Sequence, residues 1–433
     1  MRGLQGTIAI HVPIELNPSA PSSAFKARRR LVRLFVAGVL CLHAFFFINL
    51  QERIQQGYPD FAAFYTGATV LRNGLGYQLY DMHVQDEMQK GFAGQIPSRH
   101  SPLPYIHPPF EALVFLPLTL LPYYQAFWAW DLVNVVMLFG AAWLLRRSVS
   151  TLRFISTWEF VIGSLAFFPV FACLFQGQDS ILLLLLCTLA FNALKREAGF
   201  LAGCWFALAA CKFQLAIPIV LLVIIWKRKR VATGFTAMAV LLTFVSVLLV
   251  GRHALLHYPA YVLQVDNTPS LGGVPPALEP NLRGLALGWP FFSKAVAITV
   301  AVLSSFLVFV FAATRCGRSA EPRKLELQFS LAIVVSVLIG WHTIVHDLSL
   351  LVLPLVLITD YGAHAPQRQS GNRLALLLLV LPILISPLWF VLWLACGAVN
   401  VMAIPLLGLV WHIGKEISLG VDAPGSLSLP TPR

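Results

Sequence analysis

Apolar runs long enough to cross a hydrocarbon layer of about 30 Å recur along nearly the whole chain, and they dictate its class of fold. Inside such a layer no water is available to backbone N–H and C=O groups, so the chain must close its hydrogen bonds within helices. Composition agrees: 58% of residues are hydrophobic, 12% are charged and the mean hydropathy is +0.75, against roughly 25% charge in soluble domains. The chain reads as an all-α polytopic membrane protein with no room for a separate soluble domain. A single membrane domain is expected over 26–415. It is flanked by a polar, Pro- and Ser-rich disordered tail at 1–25 and a flexible tail at 416–433, both cytoplasmic. The seven cysteines sit mostly inside apolar segments without metal-type spacing, and read as small core residues.

Spans are expected near 31–49, 124–145, 158–174, 180–195, 198–211, 214–226, 231–250, 291–314, 328–341, 347–360, 374–393 and 396–412, about twelve crossings. The basic run FKARRRLVR precedes the first apolar segment, which is too long for a signal-peptide core and is followed by no small-residue cleavage site. The N-terminus is therefore expected inside. With that orientation most of the 31 Lys and Arg residues, including the run Lys227 to Arg230, fall on the cytoplasmic side. The formal charge of +12 is then a cytoplasmic surplus facing anionic lipid headgroups, with no call for nucleic acid.

Several spans are short. Residues 198–211 and 214–226 reach only about 20 Å each as helix. One long helix from 198 to 226 would put the Lys227 to Arg230 run outside, so charge favours a hairpin whose turn, around Lys212, is sunk below the outer surface. The pair 328–341 and 347–360 reads the same way, with WHTIVHD as its turn. A third outer turn, FQGQDS, spans 175–180. Three polar turns are thus expected at one level.

Outer loops of 50–123 and 251–290 should complete that side. Asp60 lies about ten residues beyond the first span, before an irregularly amphipathic stretch at 61–80 that suits an interfacial helix ending at Gly74 and Gly76. The segment 107–122, HPPFEALVFLPLTLLP, is half a bilayer long and bounded by prolines, so it fits a re-entrant or interfacial helix. Asp60 could be a catalytic carboxylate or could cap the helix that follows it. Asp81 suits a helix end. His342 and His346 lie four apart and share a helix face, but without a third ligand at suitable spacing no metal is expected.

The residues Asp60, Phe61, Tyr65, Gly67, Gly74, Tyr77, Tyr80 and Asp81 resemble the first outer loop of glycosyltransferase family 87. HPPF at 107–110, GQDS at 177–180, LAACKFQLAIP at 208–218, NLRGLA at 281–286 and HDLSLLVLP at 346–354 resemble later elements of the same family, in order. The resemblance covers about 30–410. His107 stands where Tyr is more usual, and Phe213-Gln214 follows Lys212 where Pro is frequent. The resemblance implies a GT-C fold with extracytoplasmic interfacial or re-entrant helices. It also implies transfer of a hexose, often mannose, from a polyprenyl-phosphate sugar to a glycolipid or glycan acceptor on the outer face of the plasma (inner) membrane. No cofactor is implied. The role of general base carries over to Asp60.

The chemistry asks for the same residue types. Displacing a lipid phosphate with inversion needs a base on the attacking hydroxyl and positive or hydrogen-bonding groups on the departing phosphate. Lys212, Arg283 and His346 are the expected phosphate contacts, and Tyr65, Tyr80, Asp81, His107, Gln178, Asp179, Asn281 and His342 the expected substrate contacts. A transporter would place its site near the midplane between internal repeats, and no repeat is visible here. A non-catalytic transporter or assembly partner for a cell-envelope polysaccharide remains the alternative class.

Overall fold

A computed structural model describes residues 23–93, 102–226, 228–268, 274–315, 322–364 and 370–419, and every regular element among them is helical. Seven segments are long and apolar enough to cross a membrane, or nine if each of two bent pairs, Thr157–Leu165 with Phe168–Gln176 and Gly371–Leu384 with Ser386–Cys396, counts as one span. The protein is thus a multi-pass membrane protein. Length and composition do not reach the expected twelve, because Ser180–Lys195 is only 16 residues long, the apolar stretch Gly199–Ile225 counts once and Pro322–Ile339 is not among the counted segments. Only 17% of the most apolar windows of Lys229–Asn267 and Lys294–Thr314 is buried, so these helices lie at the periphery with side chains such as Phe244, Leu248, Phe306 and Leu307 free to face lipid. Val345–Ala363, at 83%, is central.

The stretch Gly199–Ile225 does not run straight. A Cβ on Gly203 would lie 2.2 Å from the Val231 carbonyl oxygen, and one on Gly234 would lie 1.9 Å from that of Phe200. The start of Lys229–Asn267 therefore packs directly on the start of Gly199–Leu208, through small residues that let the backbones touch. From Gly203 to Ile225 a straight helix would cover about 33 Å, whereas the chain from Ile225 to Val231 can reach at most about 21 Å. The chain must turn back, and it does so at Lys212, whose φ of −104° and ψ of 69° interrupt the helix after the single turn Ala209–Lys212. This is the hairpin that the charge pattern favours.

The second hairpin is built likewise. Lys195 reaches both the Ser148 carbonyl at 2.8 Å and Glu326 at 2.7 Å, tying the ends of Tyr123–Ser148 and Ser180–Lys195 to the beginning of Pro322–Ile339. Pro322–Ile339 then runs to Gly340 at the other end of the molecule, and the segment from Val345 returns to Asp360, which accepts from Ser150 and Thr151. Arg146 to Thr157 at 2.9 Å, and Arg29 and Arg33 to Glu159, close the same end.

Other boundaries differ from expectation. The first helix begins at Ser23, inside the expected tail, and the last, Ala403–Leu419, extends past 416; residues 1–22 and 420–433 lie outside the described residues, as do Lys227 and Cys316. The stretch 251–290 is not all loop: helix continues to Asn267 beyond Gly251, whose φ of 77° and ψ of 161° bend it, and Leu282–Leu287 adds a short helix. In place of the interfacial helix expected over 61–80 stands Phe61–Arg72, most of whose residues are buried within the protein, ending before Gly74 with φ of 74°. Residues 109–120 form short helical turns, too short to cross. The six described cysteines are all free.

Candidate active site

The helix Phe168–Gln176 ends at Gly177, which adopts the left-handed conformation (φ 60°, ψ 39°) while the Gly177 and Gln178 N–H groups return to the carbonyls of Leu174 and Cys173. A side chain is barred here, since a Cβ would lie 2.7 Å from Cβ of Phe61. The Gln178 carbonyl accepts from Trp130 Nε1 at 3.3 Å and Asn134 Nδ2 at 3.2 Å, which fixes the turn to Tyr123–Ser148.

From this anchored turn the Gln178 amide reaches two charged groups. Its Nε2 donates to Asp60 Oδ2 at 2.8 Å, and its Oε1 accepts from Lys212 Nζ at 3.2 Å. Only this orientation of the amide satisfies both neighbours. Gln176 Oε1 accepts from the Asp60 backbone N–H at 3.2 Å. Although Asp60 occupies the position before Phe61–Arg72, its side chain makes no capping bond. It is half-buried and faces a cavity of about 460 Å³.

Lys212 lies at the floor of that cavity with 3% of its side chain exposed, 2.9 Å from Asp179 and 2.8 Å from Asp347. With Gln178, these contacts engage all three ammonium donors. Asp347 also accepts from Ser180 Oγ at 2.9 Å and from the Ile344 N–H at 2.9 Å, so the turns around 178, 212 and 346 are joined through one buried ion cluster. A buried ammonium without those carboxylates would be prohibitively costly, which explains why the three turns meet. His346, 3% exposed, lines the cavity beside Asp347.

His107 also lines the cavity and pairs with Glu111 at 2.9 Å. Burial opposes a charged His107 ring, but the Glu111 carboxylate outweighs it and raises the His107 pKa; burial in turn raises that of Glu111. Ligand-capable atoms of His107, Glu111 and Asp179 fall within 4.8 Å of one another, close enough to hold a cation. Lys212 already places a positive charge against Asp179 in that group.

Of the expected site residues, Asp60, His107, Gln178, Lys212, His342 and His346 line the cavity. The others stand behind it. Asp81 caps Met82–Lys90 through the N–H groups of His83 and Val84, and Tyr65 donates to the Leu121 carbonyl at 2.9 Å. Tyr80 holds the His107 carbonyl at 2.9 Å and stacks on Tyr258, while Asp179 serves Lys212. Asn281 caps Leu282–Leu287 and donates to the Gly340 carbonyl at 2.7 Å. Arg283 is the clearest departure from expectation: its guanidinium pairs with Asp266 at 2.9 Å and Glu279 at 2.6 Å, leaving it committed to protein carboxylates. Trp341 and Asp266 line the cavity without having been singled out as site residues. Asp266 lies 75 residues from Trp341, so nothing local signals their contact.

The protein is thus an all-helical, multi-pass membrane protein whose polar turns meet at one cavity lined by Asp60 and Asp347. The family model for glycosyltransferase family 87 matches residues 105–340, and the chain belongs to that family. It is therefore a membrane glycosyltransferase. The match contains the turns at Gln178 and Lys212, whereas Asp60 lies before it. No curated protein and no solved structure matches the chain.

Proposed function

We propose that this protein transfers a hexose, mannose in the simplest case, from a polyprenyl-phosphate carrier to a hydroxyl of a glycolipid or glycan. The reaction takes place on the extracytoplasmic face of the plasma membrane, within a GT-C fold of about twelve passes. The observation that carries this reading is the Asp60 carboxylate, held by Gln178 and turned toward the cavity although it sits where a helix cap would be. The basic groups at the end remote from the cavity, among them Arg29, Arg33, Arg146 and Lys195, support cytoplasmic termini and an outward-facing site.

In the proposed reaction Asp60 accepts the proton of the attacking hydroxyl as its oxygen forms a bond to the anomeric carbon. The bond from that carbon to the phosphate oxygen breaks on the opposite face, with inversion, and polyprenyl phosphate leaves. His346 is the cavity-lining group suited to that phosphate, while Lys212, whose three donors are engaged by Gln178, Asp179 and Asp347, holds the turns that present it. Arg283 is assigned a structural part instead. The isoprenoid beyond the phosphate is matched by the apolar wall of Leu103, Ile106, Phe213, Val262 and Leu263.

The test is to supply purified protein with polyprenyl-phosphate mannose and an acceptor extract and to measure polyprenyl phosphate released. Asp60→Asn should lower turnover by about 10²- to 10⁴-fold while leaving the melting temperature in place. Full activity in that variant would refute the assignment.

A further inference from the structure

The cavity has a second polar rim that the reaction above leaves unused. The helix broken at Gly251 resumes and brings Asp266 to the cavity wall. Opposite it, the chain leaves Pro322–Ile339 through Gly340 and turns at His342, whose φ of 59° is one of two positive values at non-glycine residues among the described residues. A histidine in the left-handed region is held there only when its surroundings over-determine it, and such strain concentrates at functional sites. Here Asp266 supplies the constraint. Its Oδ1 contacts His342 Nδ1 at 3.1 Å and accepts from Arg283 at 3.2 Å, while its Oδ2 accepts from Trp341 Nε1 at 2.7 Å and from Arg283 at 2.9 Å.

Those four contacts occupy the lone-pair sites of the carboxylate, so Asp266 has little left to offer a ligand. Its effect falls on the two rings it orients. The Arg283 guanidinium lies 4.1 Å over Trp341 and covers one face of the indole. Trp341 is nonetheless 39% exposed and lines the cavity, which leaves ring surface open to a ligand. In His342, Nδ1 is committed to Asp266, and Nε2 is the remaining polar atom of a ring that also lines the cavity.

An open indole beside one imidazole nitrogen suits an uncharged pyranose, whose C–H face packs on the aromatic surface while a hydroxyl meets the nitrogen. It suits a phosphate poorly, because the Asp266 carboxylate faces the same rim and the Arg283 guanidinium is already paired with Asp266 and Glu279. This rim is also more open than the buried cluster, with Trp341 39% exposed against 3% for Lys212 and His346, which suits a substrate that binds from outside the cavity. We propose that Trp341 and His342 form the subsite for the sugar of the acceptor, with Asp266 and Arg283 as positioning residues; this assignment rests on the transferase reading.

The experiment is saturation-transfer NMR on the full-length protein in nanodiscs, with methyl α-mannopyranoside and methyl α-glucopyranoside as probes. Ring-proton signals from at least one hexoside are expected in the wild type and in Asp60→Asn. They should fall at least fivefold in Trp341→Ala and in His342→Ala, and be largely kept in Trp341→Phe. Melting temperatures identify any variant that fails to fold, and His342→Ala and Trp341→Phe provide readouts independent of the larger truncation. Absence of signal in the wild type, or unchanged signal in folded Trp341→Ala or His342→Ala, overturns the subsite. Failure of the transferase reading is separately visible, since hexoside binding would persist while the wild type released no polyprenyl phosphate.

Discussion

Gln178 Nε2 donates to Asp60 Oδ2 at 2.8 Å, and among the described residues no side chain donates to the other carboxylate oxygen of the proposed base. Gln178→Ala removes the bond and also leaves the Lys212 ammonium short of one acceptor. We expect turnover to fall by roughly tenfold, from a misoriented base, with the KM for the polyprenyl donor little changed. Steady-state kinetics in both substrates check this.

Lys212 is the hub of the buried cluster, and its loss should be felt first in stability. Lys212→Met leaves Asp179 and Asp347 buried without their cation, at a cost of about 3–5 kcal/mol. The triple variant Lys212→Met, Asp179→Asn, Asp347→Asn removes the stranded charges and should recover much of the melting temperature while remaining inactive. Thermal unfolding in detergent, paired with the transfer assay, separates the two effects.

Asp60, Lys212 and His346 were legible in the sequence because each sits in a polar interruption of an apolar run, and the hairpin at Lys212 because charge on both flanks forbids a straight passage. The partner of Arg283 was not legible. Choosing between a phosphate and Asp266 depends on where a helix goes after Gly251, and Pro and Gly in that region read as loop although helix continues through Pro259 to Asn267. Tyr65, Tyr80 and Asn281 have the chemistry of ligand contacts, but the structure spends that chemistry on the carbonyls of Leu121, His107 and Gly340. Sequence shows which groups are polar; only packing shows which are already satisfied.

Glu279 gives the loop a pH signature. Burial pushes its carboxyl up to about 7, with Arg283 pulling in the opposite direction. The unfolded chain loses this proton near pH 4.3, so between there and pH 7 the folded state holds a proton that the unfolded state has released. Stability from this group is therefore present at low pH and declines as pH rises through that window, levelling above it. Glu279→Gln, which mimics the protonated form, should flatten the dependence of melting temperature on pH between 5 and 7.

Gly177 should tolerate no side chain. Gly177→Ala places a Cβ against Phe61, next to Asp60, and imposes a left-handed conformation costing about 1–2 kcal/mol. A lower melting temperature together with reduced turnover is expected. An active enzyme of wild-type stability would show that the turn is less constrained than its geometry implies.

The reversal at Lys212 also bears on how the protein is made. Gly199–Leu208 and Phe213–Ile225 are 10 and 13 residues long, and neither alone satisfies the thickness of a bilayer. During synthesis the first must wait beside the insertion machinery until the second has emerged, so that the two enter the lipid as one unit. A ribosomal pause placed between their codons would then be a hazard to biogenesis, in a stretch where a pause between two full-length spans would be harmless.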